Sequence, residues 1–181
     1  YHTIEHIRDV VKQAERIAKK EKVEKSVIQD IKLAAWLHDV GYIWEPARHE
    51  ARGAEYATSI LTEMKFPTSK ISLIAGMILA TKIPQSPKNQ FEQILCDADL
   101  DYLGRSKEEF EKISSTLSKE LLEFGFLKSI DDWDPIQVKF LASHKYFTQT
   151  SIQSRREFKL QRQAEITARL AKKEAENNKG E

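Results

Sequence analysis

Residues 26–41 read SVIQDIKLAAWLHDVG, and this stretch decides the fold class and the position of the first polar motif. Its apolar side chains recur every three or four residues, which predicts a helix with one buried face. The capping pair Ser26 and Gln29 predicts the start of that helix. Gly41 predicts its end near Asp39, because glycine readily adopts the left-handed conformation that stops a helix. A His-Asp pair is therefore expected where this helix gives way to a loop.

The same spacing of apolar residues predicts helices along the rest of the chain. Six further helices are expected at about residues 3–20, 54–64, 69–78, 94–104, 106–125 and 134–141. No segment alternates apolar and polar residues with a period of two, and no Asn-Gly or Asp-Gly hairpin signal is present. The sequence therefore predicts an all-α fold, a helical bundle.

The composition changes near the carboxyl end. From residue 154 the sequence is highly charged and helix-forming, with no glycine or proline before Gly180. We therefore predict a helical domain over residues 1–153 and a charged helical extension over residues 154–181. The extension is either a solvated helix that frays in part or a helix that packs on a partner chain, a second copy of this chain included.

Composition and charge exclude several classes of protein. The chain has 181 residues, of which 40% are hydrophobic and 31% charged, so it can form a folded core. No apolar run approaches the roughly 20 residues that span a bilayer. The net charge of +1 argues against a dedicated nucleic-acid-binding surface. The single Cys96 cannot form an internal disulfide, so we expect a cytoplasmic protein without membrane contact.

Histidine and aspartate are placed unevenly along the chain. Four of the five histidines fall within the first 49 residues. They are His2, His6, His38 and His49. An acidic cluster, DADLD at residues 97–101, follows an apolar helical run. Imidazole and carboxylate groups from separate helices can form a site for a divalent ion, with Mn, Mg, Ni, Fe, Co and Zn as candidates.

The ordered combination of these motifs is more specific than any one of them. The segments are YHTIEHIRDV at 1–10, LHDVG at 37–41 and DADLD at 97–101. Together they resemble the HD-domain superfamily of metal-dependent phosphohydrolases, whose signature is H…HD…D on a helical scaffold. The opening is similar to that of cyclic-nucleotide phosphodiesterases and related bacterial proteins. The resemblance extends over about residues 1–150 and includes HKYFT at 144–148.

The resemblance implies roles for individual residues. The implied metal ligands are His6, His38, Asp39 and Asp99, and Asp39 is also expected to orient the attacking water. His2 corresponds to the general acid that protonates the leaving group. His49 corresponds to a ligand of a second ion in relatives that bind two. Those relatives carry a further histidine where this chain has Thr81 and Lys82, so one ion and two ions stay as alternatives.

Substrate contacts and activity are also implied. Lys82, Arg52 and His144 are candidates for contacts with a substrate phosphate. We expect hydrolysis of a phosphoester in a small phosphorylated metabolite, with a nucleotide favoured. Both a phosphodiesterase and a phosphomonoesterase fit, and the expected role of His2 favours a diester. The alternative is a non-catalytic HD module that binds metal or nucleotide and regulates an attached domain.

Overall fold

The structure is a computed structural model that describes residues 1–177. Within that range it contains eight α-helices, several short 3₁₀ turns and no β-strand, so the predicted all-α fold is confirmed. The helices are α1 (Ile4–Lys20), α2 (Lys25–Leu37), α3 (His49–Glu63), α4 (Thr68–Ala80), α5 (Gln90–Asp99), α6 (Lys107–Glu123), α7 (Trp133–Ser143) and α8 (Gln149–Asn177). No helix of the described range is long and apolar enough to cross a membrane.

The described chain divides into two compact units. The amino-terminal unit consists of His2–Asp101 and Tyr146–Ile152. The carboxy-terminal unit consists of Tyr1, Tyr102–Lys145 and the described residues from Gln153 to 177. Residues 102–145 group with most of the last helix, and the domain boundary at residue 153 stays a prediction.

Helices α1 to α5 enclose the core of the amino-terminal unit. The apolar faces predicted from the sequence meet there, and their largest side chains are fully buried. These are Val10, Ile17, Ile31, Ile74, Met77, Ile78, Ile94 and Leu95. Burial of each such side chain stabilises the fold by about 1.5–3 kcal/mol. The core therefore provides a rigid base for polar residues at the helix ends.

The ends of α2 differ from the prediction. The helix begins at Lys25 and no side chain caps it, so the capping box predicted at Ser26 is wrong. The helix ends at Leu37, and Gly41 lies in a 3₁₀ turn, Val40–Ile43, without a positive φ. The left-handed stop predicted at Gly41 is therefore also wrong.

Gly41 is needed for close packing instead. A Cβ at this position would collide with the backbone carbonyl of His49 at the start of α3. A Cβ on Gly53 would lie 3.1 Å from the carbonyl oxygen of His38. Two glycines thus let α3 approach the turn after α2, which brings His49 close to the residues that end α2.

The carboxy-terminal unit contains α6, α7 and most of α8. Ser106 caps α6 by accepting a hydrogen bond from the backbone N–H of Glu109. Helix α8 begins at Gln149, ahead of the predicted start at residue 154, and it buries Lys159, Arg162 and Ile166. The part of α8 that carries these three residues is therefore packed within its own chain. Residues 178–181 of the predicted extension lie outside the described range.

Candidate metal centre

Two helix ends position the first two histidines of the candidate site. Thr3 caps α1 by accepting a hydrogen bond from the backbone N–H of His6, which fixes His6 in the first turn. His38 follows the last residue of α2, and its Nδ1 lies 2.8 Å from the carbonyl oxygen of Ala35. A carbonyl oxygen only accepts hydrogen bonds, so Nδ1 of His38 carries a proton. The lone pair needed by a metal is therefore on Nε2, which points into the site.

Four side chains converge at this point. Nε2 of His6 lies 3.3 Å from Oδ2 of Asp39 and 3.2 Å from Oδ1 of Asp99. Nε2 of His38 lies 3.1 Å and 3.5 Å from the same two oxygens. The structure thus places together the four residues that the sequence motif singles out. We refer to them as the inner cluster.

The inner cluster requires positive charge. Two carboxylates, Asp39 and Asp99, lie in a site where the exposed fraction of each side chain is at most 14%. Asp99 is also the last residue of α5, where the helix dipole disfavours a negative charge. Two imidazolium groups or one divalent cation would balance these charges, and a cation would accept lone pairs from all four residues. The donor set therefore fits a divalent metal ion.

The pKa values show the same requirement. Burial lowers the pKa of His38, but the adjacent carboxylates outweigh it and hold that pKa well above its ordinary value. The pKa of His6 is raised for the same reason. Burial raises the pKa of Asp99, yet the two imidazoles lower it to about 2. The pKa of Asp39 also lies well below its usual range. Without metal, protons on the histidines therefore supply the positive charge.

The three aspartates of the DADLD segment have separate partners. Only Asp99 joins the inner cluster. Asp97 is fully buried and accepts hydrogen bonds from the backbone N–H groups of Phe147 and Thr148. Asp101 accepts a hydrogen bond of 2.8 Å from Arg16. The geometry therefore agrees with the assignment of Asp99, and not Asp97, as a candidate ligand.

A second group lies beside the inner cluster. His2, Asp39 and His49 offer ligand atoms that all lie within 4.8 Å of one another. Nδ1 of His49 lies 2.9 Å from the carbonyl oxygen of Pro46, so its Nε2 carries the lone pair and faces Oδ1 of Asp39 at 3.7 Å. We call these three residues the outer group. Asp39 belongs to both sets and directs one oxygen to each.

The sequence did not predict two residues that lie beside the outer group. The ring of Tyr42 stacks on His2 with centroids 3.7 Å apart and lies 4.3 Å from the ring of His49. Oε1 of Glu50 lies 3.5 Å from Nε2 of His49. Glu50 adjoins a candidate ligand in sequence and could have been considered on that ground. Tyr42 carries no sequence signal, because its position depends on the 3₁₀ turn after α2.

The three candidate phosphate contacts lie outside both sets. Arg52 is exposed and pairs with Glu45 and Glu55, each at 2.8 Å. Lys82 is exposed just after the end of α4. His144 belongs to the carboxy-terminal unit, where its ring lies 5.9 Å from that of Phe140. Their contacts with a substrate stay predictions.

A family model of the HD domain matches residues 3–101, which is more than half of the chain. A crystal structure of a predicted HD superfamily hydrolase from an uncultured Thermotogales bacterium has the same fold, with a TM-score of 0.56. That protein is 24% identical, and the match covers 97% of this chain and 81% of the other. No curated protein matches the sequence.

The fold and the site together define a class. An all-helical unit with clustered histidines and aspartates at its helix ends is a candidate metal-binding domain. The chain belongs to the HD-domain family, as the match over residues 3–101 shows. The resemblance found in the H…HD…D motif is thereby confirmed.

Proposed function

We propose that the amino-terminal unit is a metal-dependent phosphohydrolase that cleaves a phosphoester bond in a small phosphorylated metabolite such as a nucleotide. One observation carries this proposal: the buried nitrogen and oxygen atoms of the inner cluster lie 3.1–3.5 Å apart with the tautomer of His38 fixed. His6, His38, Asp39 and Asp99 would hold the ion. A divalent ion so bound supplies Lewis-acid charge for phosphoryl oxygens and makes a water more acidic, with a pKa of about 7.

Asp39 is the central residue of the proposed chemistry. Its Oδ2 faces His6 and His38, and its Oδ1 faces His49. A carboxylate oxygen that is not used for coordination can accept a hydrogen bond from the attacking water and orient it. Because Asp39 is shared by both sets, its removal would disturb the inner cluster and the outer group together.

His2 has two candidate roles that lead to different measurements. It can donate a proton to the leaving oxygen, since stacking on Tyr42 fixes its ring near the site. It can instead hold a second ion together with Asp39 and His49. We favour the proton donor, because the histidine that completes a two-ion site in relatives is absent at Thr81 and Lys82.

The surface near α3 supports a nucleotide as the substrate. Trp44, Glu45, Arg52, Glu55 and Tyr56 line a cavity of about 430 Å³. The rings of Trp44 and Tyr56 lie 5.2 Å apart and offer aromatic surface for a base. Arg52 would exchange a carboxylate partner for a phosphate oxygen.

The first experiment measures metal content and turnover on the full chain. The purified protein is analysed for bound metals and assayed with bis(p-nitrophenyl) phosphate, p-nitrophenyl phosphate and a nucleotide panel. We expect at least one bound ion and metal-dependent hydrolysis, with both lost in Asp39→Ala. Asp131→Ala is the matched control, because its side chain is 83% exposed. Bound metal without turnover on any of these compounds would favour the non-catalytic module instead.

His2→Ala separates the two roles of His2. If His2 is the proton donor, bound metal is unchanged and hydrolysis slows for alkyl phosphoesters more than for p-nitrophenyl esters, whose leaving group needs no acid. The expected loss for the alkyl esters is about 100-fold or more. A loss of one bound ion per chain would assign His2 to a second metal site.

Lys82→Ala tests the proposed phosphate contact. A charged hydrogen bond to phosphate is worth about 1.5–3 kcal/mol, so kcat/KM should fall by about tenfold or more while bound metal stays constant. Unchanged kinetics with a small change in stability would mean that Lys82 only stabilises α4, through the interaction of its positive charge with the carboxyl end of the helix dipole.

A further inference from the structure

A polar cavity in the carboxy-terminal unit stands apart from the proposed chemistry. It has a volume of about 580 Å³ and is lined by residues of α6, α7, α8 and the turn before α7. Every lining residue belongs to the carboxy-terminal unit. The volume lies within the range of small-molecule sites, which is about 300–1,000 Å³.

Arg162 is the main reason to regard this cavity as a binding site. Only 7% of the residue is exposed, and its Nη2 donates a hydrogen bond of 3.0 Å to Glu165. Its Nε and Nη1 are buried and have no hydrogen-bond partner among the described residues. A buried guanidinium with two unused donors is unfavourable unless an acceptor reaches it. The cavity that Arg162 lines is the place from which a ligand could supply that acceptor.

Gln137 has an unused acceptor, whereas Arg162 has unused donors. It is 2% exposed, and its Nε2 donates a hydrogen bond of 2.6 Å to Oγ of Ser114. Oε1 of Gln137 is buried and receives no hydrogen bond from the described residues. Trp133 donates to the same Ser114 oxygen at 2.9 Å, which fixes the amide and the indole relative to each other. Arg162 and Gln137 therefore bring unused donors and an unused acceptor to the wall of the cavity, and side chains that cover these atoms must shift before a ligand reaches them.

The charge and the walls of the cavity narrow the class of ligand. Five basic and four acidic residues line it, and the exposed pair Arg169 and Asp134 is closed by two hydrogen bonds of 2.6 and 2.7 Å. Phe110, Trp133 and Ile166 supply apolar wall. A fitting ligand carries an oxyanion for Arg162, an N–H donor for Gln137 and a planar ring for the apolar wall.

We propose that this cavity binds a small organic phosphate with a planar, N–H-bearing ring, which is the chemistry of a nucleoside monophosphate. The phosphate accepts hydrogen bonds from Arg162, the ring donates to Oε1 of Gln137, and the ring face contacts Trp133. This binding does not depend on the metal centre or on the proposed hydrolase activity. The carboxy-terminal unit thereby gains a ligand-binding role of its own.

Fluorescence of Trp133 provides the test. The chain has three tryptophans, so the full-length variant Trp36→Phe/Trp44→Phe leaves Trp133 as the only one. This protein is titrated with adenosine 5′-monophosphate, guanosine 5′-monophosphate, adenosine and inorganic phosphate. We expect a saturable change with at least one monophosphate below about 1 mM, and binding at least tenfold weaker for adenosine and for inorganic phosphate. No saturable change with either monophosphate would overturn the proposal.

Variants in the same background locate the binding. Arg162→Gln should weaken binding by about tenfold or more, whereas Lys172→Gln, on the same helix and 79% exposed, should not. Gln137→Leu removes the acceptor for the ring N–H and should weaken binding similarly, which keeps the test decisive if Arg162→Gln does not fold. Asp39→Ala should leave the titration unchanged. Binding as tight as that of the parent protein in folded Arg162→Gln and Gln137→Leu, or loss of the signal in Asp39→Ala, would refute this location.

Discussion

Two carboxylates of α5 lie two residues apart and have opposite surroundings. Asp97 accepts three hydrogen bonds, from the N–H groups of Phe147 and Thr148 and from the hydroxyl of Thr148, at 2.7–2.9 Å. Asp99 faces two imidazole nitrogens at 3.2 and 3.5 Å, which can donate only when protonated. The protein thus satisfies one carboxylate with its own fixed donors and leaves the other to a positive charge.

The pKa values separate the two carboxylates in the same way. Burial raises the pKa of Asp97 above its ordinary value despite its hydrogen bonds. The pKa of Asp99 is lowered to about 2, because the charges on the imidazoles outweigh burial. A buried carboxylate that fixed donors of the protein satisfy indicates a structural role, whereas one that faces buried imidazole nitrogens is a candidate for a functional site.

Asp99→Asn should have the largest effect on the metal centre. The amide keeps the shape but removes the charge and offers one oxygen in place of two. Loss of groups that only support a ligand costs about 10–100-fold in metal affinity, so loss of the ligand itself should cost more than about 100-fold. Competition with a fluorescent chelator measures this affinity. An unchanged affinity would mean that Asp99 does not bind the ion.

Asp97→Asn should reduce the stability of the fold and leave the metal affinity unchanged. Its effect should fall on stability, because hydrogen bonds to a charged acceptor contribute about 1.5–3 kcal/mol and the amide weakens three of them. We expect a loss of about 2–3 kcal/mol in the free energy of unfolding, measured by urea denaturation of the metal-free protein. Metal affinity should stay close to that of the wild type. A loss of metal affinity as large as that of Asp99→Asn would refute the division of roles.

The pH dependence of metal binding tests whether the histidines bind the ion. The pKa values of His6 and His38 are raised above about 6.5 in the metal-free chain, so each ring must lose a proton before it binds an ion. Affinity should therefore rise with pH, by about tenfold per unit for each proton released. Calorimetry in buffers of different ionisation enthalpy counts those protons. Binding that is independent of pH between 6 and 8 would exclude these two ligands.

The stability of the metal-free protein should change in the opposite direction. Protonated His6 and His38 stabilise the fold at pH values below their ordinary pKa, and this contribution is lost as pH rises through the raised values. Asp39 and Asp99 have lowered pKa values, so their contribution is present above the ordinary carboxyl pKa and is lost at low pH. Urea titrations of the metal-free protein should therefore give lower stability at alkaline than at mildly acidic pH.

Sequence reasoning was strongest where the determining interactions are local or follow an ordered motif. The apolar spacing within α1 and α2 predicted helices, and the ordered H…HD…D motif predicted the family, which the match over residues 3–101 confirms. The motif also picked out Asp99 among three nearby aspartates, and the structure places it beside His6 and His38.

Long-range packing explains what the sequence did not predict. Gly41 was expected to stop α2, but its actual constraint is the backbone of His49, and only the packed structure shows it. The partners of Asp97 lie about 50 residues away, so nothing near Asp97 in the sequence indicates them. The stacking of Tyr42 on His2 depends on the same packing of the turn after α2.

Thr148→Val is the smallest and most selective change. Valine keeps the branched shape but removes the hydroxyl that donates to Asp97 at 2.7 Å, while the backbone N–H of residue 148 still donates at 2.8 Å. One of the three donors to Asp97 is lost, together with the hydrogen bond of 3.2 Å that Oγ1 of Thr148 accepts from the backbone N–H of Ser151. The free energy of unfolding should therefore fall by about 1–2 kcal/mol, less than for Asp97→Asn. Thr116→Val is the control, because the hydroxyl of Thr116 is exposed and bonds only to the carbonyl of Lys112. Equal losses in the two variants, measured by urea denaturation, would show that the hydroxyl of Thr148 contributes no more to stability than the exposed hydroxyl of Thr116. A loss confined to Thr148→Val, with metal affinity unchanged, would show that the Thr148 hydroxyl stabilises the fold through Asp97 and the first turn of α8, independently of the inner cluster.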